Sequence, residues 1–84
     1  MKGKLLMKQI NENVIFSHTD TELLLTEKGA KNPYPIELDR IETPLQLVSW
    51  LHHLTQKNWF NTTDAHNMIT YVGTKLHDWN IYDM

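Results

Sequence analysis

The sequence predicts an α+β domain of order β-β-β-β-α-α, a three- or four-stranded antiparallel sheet followed by a two-helix hairpin packed on one of its faces. Three observations predict it. Polar turn signals cut the first half into short segments, Thr43 followed by Pro44 announces a helix, and beyond that point the apolar spacing changes from two to near 3.6. With 84 residues the chain has material for one core, so residues 1–84 are read as a single domain.

Asn11-Glu12-Asn13, Thr19-Asp20-Thr21 and Gly29-Ala30-Lys31-Asn32-Pro33 are the turns. They define four candidate strands, Lys4 to Ile10, Val14 to His18, Glu22 to Thr26, and Tyr34 to Asp39, joined by connections short enough for a meander of hairpins. Tyr34, Ile36 and Leu38 alternate with Pro35, Glu37 and Asp39, which gives the fourth segment an inner and an outer face. Pro35 has no N–H to give a ladder, so this strand belongs at an edge or begins near the proline. In Leu23-Leu24-Leu25 the inward residues are Leu23 and Leu25, because Glu22, Leu24 and Thr26 form the more polar set.

Thr43 can cap a helix, Pro44 suits its first position, and Gln46 completes a capping box. The first helix is expected over about 44–57. Its inner stripe is Leu47, Trp50, Leu51 and Leu54 with Val48 beside it, opposite Ser49, His52 and Gln56. The second, over about 63–79, starts among Asn61 to Thr63, with Asp64 in its first turn, where a negative charge complements the dipole. Ala65, Met68, Ile69, Val72, Leu76 and Trp79 form its stripe. Gly73 inside it costs about 1 kcal/mol relative to alanine; it marks either a close approach, the favoured reading, or a local break. Ile81 and Tyr82 could dock the tail on the sheet.

Composition excludes several classes. Without Cys there is no disulfide, thiolate metal site or cysteine nucleophile, so packing must hold a small chain together, and 40% hydrophobic residues including three Trp supply it. A formal net charge of -2 with scattered Lys and Arg disfavours nucleic acid. Lys2, Lys4 and Lys8 form the candidate nucleic-acid-binding edge of the alternative reading, although lysine on an edge strand also discourages strand addition. The Leu5-Leu6-Met7 run is broken by Lys8 and too short for an export signal, and no stretch is long and apolar enough to span a membrane. The expected location is the cytoplasm.

Five histidines raise the question of metal, and their spacing answers against it. His52 and His53 diverge by about 100 degrees on a helix, and His66 and His77 share a polar face but lie about three turns apart. Ser17 and Ser49 lie in regular elements, not tight glycine turns, and Gly3, Gly29 and Gly73 are too isolated for a phosphate loop. Glu37 and Asp39 share an outward strand face, where pairing with Arg40 or lysines explains them better than acid–base chemistry. No catalytic residue, metal ligand or cofactor is therefore assigned.

The aromatic residues near the helix connection carry more. Trp50, Trp59 and Phe60, with His53, Lys57 and Asn58 around them, either close the helices onto the core or leave rings exposed as an interaction hot spot. The exposure of Trp59 separates the two. His53, Lys57, Asn58, Trp59 and Phe60 are the candidate protein-binding residues.

The stretch from Tyr34 to Trp59 carries Leu-Asp-Arg-Ile, the Thr-Pro helix start, the Trp50 to His53-Leu54 spacing, and Lys57 through Trp59. It resembles a segment of short uncharacterised proteins of phages, prophages and related mobile elements, over about a third of the chain. The resemblance implies no reaction, cofactor or catalytic residue. It implies an accessory protein in the host cytoplasm that works by binding another protein, of host or phage, a defence component included; self-association as a homodimer is compatible with it.

Overall fold

A computed structural model describes residues 12–80. Strands β1 (Val14–His18), β2 (Glu22–Glu27) and β3 (Tyr34–Glu37) form an antiparallel sheet in the order β1-β2-β3, and helices α1 (Pro44–Leu54) and α2 (Thr62–Tyr71) follow. The expected α+β architecture is present. The candidate strand Lys4 to Ile10 and the tail residues Ile81 and Tyr82 lie outside the described residues.

Each hairpin follows from its turn. Thr19 Oγ1 accepts the N–H groups of Thr21 (3.2 Å) and Glu22 (3.1 Å), which turns the chain from β1 into β2. Gly29 sits at φ 86 in the next turn, a left-handed conformation that glycine adopts without penalty. Val14, Leu23, Leu25 and Ile36 then fall on one face of the sheet and are buried, as alternation predicts for the leucine pair. Ile41, Leu47, Leu54, Phe60, Met68 and Val72 complete the core from the helical side.

β3 is an edge strand among the described residues, and its polarity explains Pro35. Leu38 N–H donates to Thr21 carbonyl oxygen (2.9 Å), so by alternation Ile36 and Tyr34 face β2 and the position of Pro35 faces outward. Its missing donor costs nothing there. β3 ends sooner than expected: Leu38–Arg40 form a 3₁₀ turn, and Asp39 leaves the strand face it was expected to share with Glu37.

The capping box of α1 is present, with Gln46 N–H donating to Thr43 Oγ1 (3.1 Å) and Thr43 N–H to Gln46 Oε1 (3.1 Å). α1 stops at Leu54, short of the expected 57. Thr55 donates its hydroxyl to the Leu51 carbonyl (2.8 Å), and turns through Lys57 bring Phe60 back into the core. Val48 lies on the solvent side, 58% exposed, because its position falls off the Leu47–Leu54 stripe. α2 is also shorter than expected. From Val72 to Leu76 it widens into a π-turn, so a local break does occur at Gly73, which is also buried. His77 is therefore extended, off the helix face it was expected to share with His66. Its Nε2–H donates to the Ile41 carbonyl (2.9 Å), and its ring stacks on Trp79 (4.6 Å).

Asp64 does more than complement a dipole. Alternation turns the Val14 N–H away from β2, and this group (3.0 Å) and the Asn13 N–H (2.8 Å) both donate to Asp64 Oδ1. Asn61 N–H donates to Oδ2 (3.0 Å), within a second capping box. One fully buried carboxylate thus joins the start of β1 to the start of α2.

Candidate functional site

The rim where β3 meets the C-terminal half of α1 gathers most of the expected residues. Tyr34, first on the inner face of β3, lies 6.5 Å from Trp50 at 84°, and 5.7 Å from Trp59. Trp50 in turn meets His53, one turn on, at 5.8 Å and 81°. The Tyr34–Trp50 and Trp50–His53 pairs are near-perpendicular, edge against face, while Tyr34 and Trp59 are tilted at 52°. Lys57 Nζ stands 5.9 Å from the Tyr34 ring centre, within reach of a cation–π interaction, and His53 Nε2 is 3.5 Å from the Tyr34 hydroxyl.

Exposure divides the group. Phe60 is buried at 3% and closes the core, so it is not among the rings left at the surface. Trp59 is half-buried between Phe60 and Tyr34, which takes something from each expected reading: one side packs, the other faces outward. His53 and Asn58 are exposed, and Lys57 and Trp50 are half-buried. Asn13 Nδ2–H donates to the Trp59 carbonyl (2.9 Å), anchoring the helix connection to β1. Lys2, Lys4 and Lys8 lie outside the described residues.

Two further residues complete this rim, and local sequence patterns do not mark them as rim residues. Alternation in the sequence marks Tyr34 only as an inner strand residue, yet an inward ring at the first position of an edge strand lies at the border of the sheet. Arg40 is marked by sequence only as a charge partner. It does pair with Glu37 (3.3 Å), but its carbonyl also accepts the Trp50 Nε1–H (3.2 Å), which ties the indole to the end of the 3₁₀ turn. No spacing rule reveals that contact, because it joins a 3₁₀ turn to the middle of a helix ten residues later.

A second ring cluster lies at the opposite edge, where Tyr71 of α2 packs on Phe16 (5.9 Å) and its hydroxyl meets His18 Nδ1 at 2.7 Å. Burial pushes the Tyr71 phenol above its ordinary value of 10.0. Among the described residues no three His, Asp or Glu side chains converge to hold a metal ion, and no helix is long and apolar enough to cross a membrane. Comparison with protein-family models, curated proteins and solved structures returned no match to this chain.

Proposed function

We propose that this chain is a small non-enzymatic protein-binding module that holds its partner through the rim formed by Tyr34, Trp50, His53, Lys57 and Trp59. The observation that carries the reading is the disposition of the rings. Phe60 already seals the core, yet three large rings beside it stay part-exposed and are held by neighbouring elements. Aromatic groups fixed in advance lose little freedom on docking, and Trp and Tyr are the residue types in which binding energy concentrates. The resemblance of residues 34–59 to phage and prophage proteins supports an accessory role on a host protein in the cytoplasm, a defence component among the candidates.

The test is affinity capture with the full chain and a variant carrying His53→Asp and Lys57→Glu. Both positions lie at the rim and contribute nothing to the buried core. A partner retained by the parent chain should be lost by the variant while its thermal unfolding stays unchanged. Equal capture by both would remove this surface from the argument. The alternative, nucleic-acid association through Lys2, Lys4 and Lys8, predicts salt-sensitive binding abolished by charge reversal there.

A further inference from the structure

We propose that the two grooves flanking Trp50 take an extended proline-rich segment of the partner, with a basic residue of that segment set against Glu22 and Glu37; this rests on the docking surface proposed above. Trp50 and Arg40 are walls common to both grooves. One, of about 260 Å³, is completed by Gln46, Ser49 and His53. The other, of about 280 Å³, is completed by Glu22, Pro35, Ile36 and Glu37. An indole shared by two grooves matches a ligand that presents pairs of side chains on either side of a ridge, as a polyproline II helix does with three residues per turn.

The competing peptide shapes fit less well. A helix of about 10–12 Å diameter needs one continuous trough, whereas here Trp50 and Arg40 are shared by two. Strand addition to β3 needs outward N–H groups, and Pro35 removes one at the middle of the edge. Polyproline II is the opposite case, since prolines bring carbonyl acceptors and no N–H. Donors are what the first groove has to give: the exposed Ser49 hydroxyl, the Gln46 amide nitrogen and the His53 ring.

Charge identifies the flank. Glu22 and Glu37 are direct cross-strand partners, in the non-hydrogen-bonded class of pair where side chains stand closest, so two like charges oppose each other across β2 and β3. Arg40 answers only one of them. Asp20, Asp39 and Glu42 extend the negative surface from Glu37. A cation in the ligand relieves that repulsion, and a phosphate backbone would add to it.

The experiment uses the full chain and labelled synthetic peptides followed by fluorescence anisotropy. The set is a proline-rich peptide with arginine at one end or the other, its alanine-for-proline analogue, its glutamate-for-arginine analogue, and a single-stranded oligonucleotide of similar length. Saturable binding of one arginine-flanked proline peptide is expected, weaker by about tenfold for the alanine analogue and for Trp50→Phe. The glutamate analogue should bind about two- to fivefold more weakly, and Glu37→Lys should reverse that preference. Circular dichroism establishes that both variants are folded. Equal binding of proline and alanine peptides, binding of neither, or Trp50-dependent binding of the oligonucleotide instead would overturn the proposal. If the peptides fail while the His53→Asp, Lys57→Glu chain still loses its captured partner, the ligand class is wrong and the docking surface stands; if both fail, the surface falls too.

Discussion

The carboxylate of Asp64 accepts three backbone N–H groups drawn from two distant parts of the chain, with no solvent reaching it. Asp64→Ala would leave the Asn13 and Val14 donors without acceptors, at about 1–3 kcal/mol for each group left unpaired. Urea unfolding should therefore show a loss of about 3 kcal/mol or more, and a loss below about 0.5 kcal/mol would mean that this junction does not hold β1 to α2. The sequence revealed Asp64 only as a charge in a first helical turn, because propensity rules see the neighbouring four residues and the other donors come from 50 and 51 positions away. Tyr71 makes a second prediction. Burial favours its neutral phenol, so the folded chain holds that proton more tightly than the unfolded chain. The resulting stability is complete below 10.0 and is lost as pH rises through the higher folded value. Tyr71→Phe should flatten the alkaline fall of the urea midpoint in that window; an identical fall in both proteins would remove Tyr71 as its cause.

At the level of elements, the sequence was most legible where short-range chemistry decides. Thr43, Pro44 and Gln46 start α1 as their side chains dictate, and the Leu23 and Leu25 alternation gives the correct face of β2. Helix ends were less legible, since Thr55 and Gly73 act with tertiary pull: Phe60 must return to the core, and α2 must widen at Val72. Pro35 shows how an element-level feature is tested. With its nitrogen outward, Pro35→Thr would keep β3 paired to β2 while adding an outward N–H and a β-favouring side chain. The domain should remain folded but self-associate, detected as a concentration-dependent rise in mass by light scattering. A mass as constant as that of the parent chain would show that the proline does not protect this edge.

For the molecule as a whole, all the described elements share one core, and the rim rings grow directly out of it. The rim was half legible: Trp50, His53, Lys57 and Trp59 are close in sequence, whereas Tyr34 joins them only when β3 docks beside α1. Core and rim are separated by side-chain direction rather than by position along the chain, so if the rim is the proposed docking surface, adjacent residues should behave oppositely. Leu54 is fully buried with the sheet and α2 around it, so Leu54→Ala should cost about 2–5 kcal/mol. That is a large share of the roughly 4–13 kcal/mol expected at about 0.05–0.15 kcal/mol per residue. His53, one residue earlier, is exposed, with its ring at 5.8 Å from Trp50 and a long contact to the Tyr34 hydroxyl. His53→Asp should shift stability by no more than about 0.5 kcal/mol while weakening the partner. Parallel urea unfolding and partner titration of the two variants read both quantities at once. Should His53→Asp unfold as readily as Leu54→Ala, the rim would be part of the core's own support, and a docking role for it would fail.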